Sequence, residues 1–181
     1  MRRRLKKLER TAYHEAGHAV AAYCLKRSFN YVSILGDADS LGKVETRHMR
    51  NFDLDGDLSQ RTEHLVRREI VLKLAGPLAV ELAAGKTGHW DGFLGGAYDI
   101  PAAFELAQSV AGSVEESDGF IHWLWEYTRN LLALPFNWAA VEALAATLLR
   151  DGRVSYPRAR AVIKHALQGS YGEVERVDLT D

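Results

Sequence analysis

Residues 11–23 read TAYHEAGHAVAAY and hold an HExxH motif at 14–18. Apolar residues recur at three- and four-residue spacing over residues 5–26, which predicts one helix around the motif. On a helix, His14 and His18 lie on the same face about 6 Å apart, so both imidazoles can reach one metal ion at about 2.1 Å. Glu15 lies beside the open position of that metal, where it can take a proton from water and pass one to a leaving amine. The motif therefore predicts a zinc site on the first helix.

A zinc site that keeps one position open for water needs a third protein ligand. The metzincin pattern would require glycine at position 21 and histidine at position 24, but the chain has Ala21 and Cys24. That subclass is excluded. A glutamate from a later helix is the other common solution, and Glu63, Glu69 and Glu81 are candidates by position. Spacing alone does not choose among these three.

The chain length bounds the domain organisation. With 181 residues, the chain is long enough for one domain with a full core and too short for two ordinary domains and a linker. We therefore treat residues 1–181 as one domain, with residues 1–10 as a basic lead into the first helix. The 47% hydrophobic and 26% charged fractions are typical of a packed globular protein. Because 23 Lys+Arg and 24 Asp+Glu leave a net charge of −1, no general attraction to nucleic acid is expected.

Cysteine content and hydropathy bear on the cellular compartment. Cys24 is the only cysteine, which excludes an internal disulfide and an all-thiolate zinc site and fits a reducing compartment. Nowhere do about 18 apolar residues run without a charge, so no membrane span is expected. These features predict a cytoplasmic protein.

The remaining pattern is mainly helical, with a small sheet beside the HExxH helix. Alternating apolar residues predict strands at 31–35 and 41–46, joined as a hairpin. Helical spacing predicts further helices over 58–84, 114–132, 136–150 and 156–168, and one that begins with Asp99 as its N-cap. Pro77 should kink or split the helix over 58–84. Trp123, Trp125 and Trp138 fall at helical positions and are assigned to the core.

Four segments resemble the proteolytic domain of the FtsH-type AAA proteases. The TAYHEAGHAVAAY stretch looks like the zinc helix of that family, including the small pair Ala16-Gly17 between the histidines. Residues 30–46, NYVSILGDADSLGKVET, resemble the hairpin that follows it, and residues 74–85, LAGPLAVELAAG, resemble its Gly-Gly-Arg-x-Ala-Glu helix. Residues 95–110, GGAYDIPAAFELAQSV, are similar to its Thr-Gly-Ala-x-x-Asp segment and the Ala-rich helix after it. The resemblance runs from about Leu8 to His165.

The resemblance implies a zinc metalloendopeptidase of that fold, as a stand-alone chain without the ATPase half of the family. The closing aspartate of the family's segment is its third zinc ligand, and it falls on Asp99 here. The implied site holds one zinc per chain on His14, His18 and Asp99, with Glu15 as general base and then general acid.

The resemblance also implies a substrate and partners. Unfolded or extended polypeptides would be held by main-chain pairing along Leu41, Gly42, Lys43 and Val44, a mode with little side-chain selectivity. A separate ATPase would have to unfold folded substrates, and the rings of the family make a homo-oligomer conceivable. Two alternatives stay open. One is a non-catalytic interaction module that keeps its zinc as a structural element, and the other is hydrolysis of a non-peptide amide by the same residues.

Overall fold

Helices dominate the structure, a computed structural model that describes residues 4–35, 43–46, 59–85 and 98–177. Within these ranges the helices are α1 (Lys7–Cys24), α2 (Gln60–Ala83), α3 (Asp99–Gln108), α4 (Val114–Ala133), α5 (Pro135–Asp151) and α6 (Tyr156–Val177). The strands are β1 (Phe29–Ser33), β2 (Lys43–Thr46) and β3 (Arg153–Ser155). The predicted class, mainly helical with a small antiparallel sheet, is confirmed.

The sheet has the order β2-β1-β3, and both pairs are antiparallel. Val32 in the central strand lies opposite Val44 on one side and Val154 on the other. The pairing of the two predicted hairpin strands is confirmed, although β1 begins two residues earlier than expected. The turn that joins them lies outside the described residues. The third strand was not predicted, because its three residues are too few to show an alternating pattern.

Helix α1 lies between α2 and α5 and carries the motif at 14–18. Its inward face is built from small residues, among them Ala12, Ala16 and Ala19, which are fully buried. At Gly17 a Cβ atom would lie 2.5 Å from the carbonyl oxygen of Ala75 and 2.6 Å from the Cβ of Ala79. Only glycine fits there, so the small residues of the motif allow α2 to approach α1 closely.

Helix α2 runs without interruption through Pro77, so of the two expected outcomes, a kink or a split, the split is wrong. Proline removes the backbone donor that would bond the carbonyl of Lys73. The helix continues because its neighbours Leu74, Ala75 and Leu78 are buried in the core. Tertiary packing of this kind outweighs the local cost of one lost backbone hydrogen bond.

Helix α4 divides its tryptophans between the core and the surface. Trp125 is fully buried as predicted, and Trp138 on α5 packs against the core, but Trp123 is 47% exposed. The assignment of Trp123 to the core is wrong because residues two apart on a helix point to opposite sides.

Within the described ranges no single helix is long and apolar enough to cross a membrane, although α4 and α5, bent by 78° at their junction, meet the length and composition requirements as a pair.

Candidate metal centre

His14 and His18 lie one turn apart on α1 and their rings meet edge to face. The ring centroids are 4.6 Å apart with an interplanar angle of 87°. Their Nε2 atoms are 3.0 Å apart, and the side chains are only 24% and 15% exposed. The helix therefore brings two partly buried ring nitrogens to one point, as the spacing of the motif predicts.

Asp99 approaches the same point from the start of α3. Its Oδ2 atom lies 3.1 Å from Nε2 of His14 and 3.4 Å from Nε2 of His18. The expected N-cap role of Asp99 is wrong by one position: Tyr98 holds the N-cap position, and Asp99 begins the first turn with its carboxylate facing the two rings. The helix dipole still favours a negative charge at this end of α3.

The three ligand atoms have the spacing that a small divalent ion requires. Tetrahedral zinc with bonds of about 2.1 Å places its ligand atoms about 3.4 Å apart. The observed separations of 3.0, 3.1 and 3.4 Å are close to that value. Among the described residues, His14, His18 and Asp99 are the only His, Cys, Asp or Glu group compact enough to hold a metal ion. The donor set of two imidazoles and one carboxylate suits zinc and also other transition metals.

The three glutamates considered as alternative ligands lie outside this group. Glu63 pairs with Arg67 one turn along α2 at 2.9 Å, and Glu69 pairs with Arg27. Glu81 also takes no part in the compact group. The choice that spacing left open is therefore resolved geometrically in favour of Asp99.

The ring of His18 is oriented by a backbone carbonyl of α2. Its Nδ1 atom lies 2.7 Å from the carbonyl oxygen of Leu72, to which it can only donate a proton. That bond fixes the tautomer, because the proton on Nδ1 leaves the lone pair of Nε2 free for a metal ion. Sequence reasoning missed Leu72 because a backbone carbonyl leaves no signal in the side-chain pattern.

Lys73, the next residue along α2, faces the other oxygen of Asp99. Its Nζ atom lies 3.6 Å from Oδ1, while Oδ2 faces the imidazoles. Burial opposes ionisation of the Asp99 carboxyl, but hydrogen bonds and charge from His14 and His18 outweigh it, so its pKa lies below the usual range. The Asp99 carboxylate is thus ionised, with Oδ2 facing the imidazoles and Oδ1 facing Lys73.

Gly76 forms the floor of the site. A Cβ atom at this position would lie 2.7 Å from Cε1 of His18 and 2.8 Å from Cε1 of His14. No side chain fits between α2 and the two rings, and Gly76 itself is buried. Because Gly76 has no side chain, both imidazoles can stay in contact with α2.

The proposed general base and the proposed substrate strand are described to different extents. Glu15 follows His14 directly and is 6% exposed, so its carboxylate is buried in the helix that carries the site. Lys43 and Val44 belong to β2, which lies at one edge of the described three-stranded sheet, whereas Leu41 and Gly42 lie outside the described residues. Peptide pairing along residues 41–44 stays a prediction.

Comparison with known proteins adds no family assignment. No protein-family model matches the chain, and no curated protein matches it significantly.

Proposed function

We propose that this chain is a zinc-dependent metalloendopeptidase whose fold is that of the FtsH-type proteolytic domain. One observation carries the proposal: the Asp99 carboxylate lies 3.1 Å from His14 although the two residues are 85 positions apart in the chain. Asp99 is also the residue that the sequence resemblance implies as the third ligand. A structural ion pair between helices would not need a second histidine one turn along and a glycine floor beneath both rings.

In this proposal the site consists of three metal ligands and one residue that acts as general base and then general acid. His14, His18 and Asp99 hold the ion, and the Leu72 carbonyl keeps His18 in the tautomer that binds it. Bound zinc supplies Lewis acidity, which polarises a peptide carbonyl and makes water more acidic. Glu15 takes a proton from the water molecule as the water oxygen bonds to the carbonyl carbon of the substrate. It then gives a proton to the peptide nitrogen as the carbon–nitrogen bond breaks.

The substrate class follows from the edge position of β2. A strand with one unpaired edge can bind an extended peptide through main-chain hydrogen bonds and so favours polypeptides that are already unfolded. Folded substrates would need a separate unfoldase, which the resemblance suggests as a partner. The order β2-β1-β3 supports this part of the proposal, since β2 has only β1 beside it among the described strands.

Substitution of Glu15, the proposed general base, tests the proposal directly. Zinc-loaded protein should cleave a fluorescently labelled unfolded polypeptide, lose this activity with a chelator and regain it with zinc. Glu15→Gln should bind one zinc per chain as before and cleave about 100- to 10,000-fold more slowly, because it keeps the shape of Glu15 and loses its basicity. Glu105→Gln is the matched control, since Glu105 is exposed on α3.

Two results would contradict the proposal. Unchanged turnover in the Glu15→Gln protein would remove the assigned role of Glu15. A zinc-loaded chain that cleaves none of a broad library of unfolded peptides would instead support the non-catalytic interaction module. Metal content measured on the same samples separates loss of zinc from loss of chemistry.

A further inference from the structure

A second concave site lies between the C-terminal end of α1, the first half of α2 and α4. We call it the α1–α2–α4 cleft, and its volume is about 490 Å³, which falls in the range of ligand-binding sites. Its lining includes the cationic residues Lys26, Arg67 and Arg68 and the aromatic residues Trp123 and Tyr127. None of the described residues that line it is acidic. The cleft is therefore a positively charged recess with an aromatic wall.

The acidic residues next to the cleft on α2 are already engaged. Glu63 pairs with Arg67, and Glu69 pairs with Arg27. Arg68 donates to the carbonyl of Leu25, and a guanidinium group has five donors, so others stay available to a ligand. No hydrogen bond or ion pair is recorded for the exposed Lys26 side chain in the described structure. Lys26 and Arg68 therefore carry positive charge with which no described carboxylate pairs, and this charge favours an anionic ligand.

The aromatic wall is exposed, and its neighbouring rings lie in contact. Trp123 and Tyr127 are 47% and 45% exposed, and their ring centroids are 5.8 Å apart. Phe120 extends the row, with its centroid 6.4 Å from that of Trp123. The guanidinium of Arg67 lies 4.9 Å from the Trp123 ring centre, which holds its planar donors in place beside the wall. The cleft thus offers a ligand apolar contacts and charged contacts side by side.

The backbone at the rim lacks the converging N–H groups of a typical phosphate site. The cleft lies at the C-terminal end of α1, where carbonyl groups and the negative end of the helix dipole face outward. Phosphate sites typically use the opposite end, where backbone N–H groups converge. The three cations are also spread over two helices, which matches single charges spaced along a chain. A concave recess also fits protruding side chains better than it fits the flat face of a lipid bilayer.

The backbone of Lys26 supports a role for its side chain. Lys26 has a φ of 54°, at the C′ position of a Schellman motif in which Arg27 donates to the carbonyl of Ala22 and Lys26 to that of Tyr23. Glycine is the residue that normally takes this conformation without strain. A lysine there places a cation at the mouth of the cleft despite the strain.

We propose that the α1–α2–α4 cleft is a docking site for an acidic peptide segment. Its carboxylates pair with Lys26 and Arg68, and an aromatic side chain of the segment packs on Trp123 and Tyr127 beside Arg67. This binding is independent of the metal centre, whose residues lie elsewhere on α1 and α2. It would recruit an acidic partner or substrate region without cleaving it.

Fluorescence anisotropy with a short labelled peptide in which Glu alternates with Phe tests the proposal. The Glu15→Gln chain is used, so that cleavage cannot remove the probe. Binding should weaken as salt rises, and a counterpart with Lys in place of each Glu should not bind. Trp123→Ala should weaken binding about tenfold. Lys26→Gly should weaken it about threefold without lowering the melting temperature, because glycine accepts the positive φ.

The controls make each outcome decisive. Lys164→Ala removes an exposed lysine of α6 and should bind the peptide as the parent chain does. Equal binding by the parent chain, Trp123→Ala and Lys26→Gly would overturn the proposal. So would equal binding of the lysine peptide, or an absence of peptide binding where inorganic triphosphate or anionic vesicles bind. Because the metal centre is not needed, a failed peptidase assay would leave this result unaffected.

Discussion

Asp99 is the residue on which the candidate metal centre depends most, since among the described residues of α3 it alone contacts the two histidines of α1. Asp99→Ala should lower zinc affinity by more than about 100-fold, because two imidazoles remain where three ligands are needed. Isothermal titration calorimetry with zinc measures the change. Asp118→Ala, which removes an exposed aspartate of α4, is the control and should bind zinc normally. Normal stoichiometry and affinity in the Asp99 variant would show that the carboxylate is no ligand.

Lys73 is expected to act as a positioning residue through Asp99. Because its Nζ atom lies 3.6 Å from Oδ1, it favours a carboxylate that offers only Oδ2 to the metal. Lys73→Met should weaken zinc binding about tenfold and change the visible spectrum of the cobalt-substituted protein. Lys73→Arg, which keeps the charge, should restore both. A Met variant with the parental affinity and spectrum would mean that Lys73 leaves the geometry of Asp99 unchanged.

These residues differ in how far sequence could reveal them. His14 and His18 are visible because four-residue spacing on a helix is a local property, and it holds whatever packs nearby. Asp99 became visible only through a resemblance, because no spacing rule links positions so distant. Lys73 and Gly76 were not predicted as parts of the site. Their roles arise from the side of α2 that meets α1, which only tertiary packing determines.

At the scale of elements, the contact between α1 and α2 relies on two glycines. Gly76→Ala should lower zinc affinity at least about tenfold and cost about 1–3 kcal/mol of stability, because the added methyl group displaces both imidazoles. Calorimetric titration and chemical denaturation measure the two effects. Gly119→Ala on α4 is the matched control: its Cβ would meet nothing within 4 Å, so stability should rise by about 0.5–1 kcal/mol. Parental zinc affinity in Gly76→Ala would contradict the proposed floor.

The elements themselves were predictable in proportion to their length. The helices α1, α4 and α5 lie within two residues of their expected bounds, because several turns of apolar periodicity define each. Helix α6 was expected to end at residue 168 but continues to Val177. The three-residue strand β3 gave no pattern, and the continuity of α2 through Pro77 reflects buried neighbours that a local rule does not include.

At the scale of the whole molecule, the candidate metal centre lies where three helices that are separate in the chain come together. Helices α1 and α2 are adjacent in sequence order but are linked by the sheet segment, and α3 follows α2 across residues outside the described ranges. The site lies where all three meet, while α5 supports α1 from the opposite side. An ion held by His14, His18 and Asp99, as proposed, would cross-link α1 and α3 in the native state, because these ligands converge only when the chain is folded.

This cross-link predicts that zinc and folding are coupled. At a free zinc concentration 100 times its dissociation constant, binding to the native state alone adds about 2.7 kcal/mol, which should raise the melting temperature by roughly 5–10 °C. Differential scanning calorimetry with zinc and with chelator measures the shift. Glu15→Gln should show the same shift, since it keeps all three ligands, whereas Asp99→Ala should show almost none. A shift that persists without Asp99 would place the stabilising ion at a different site. Equal melting temperatures with zinc and with chelator in the parent chain would mean that the helices are not joined through a metal ion.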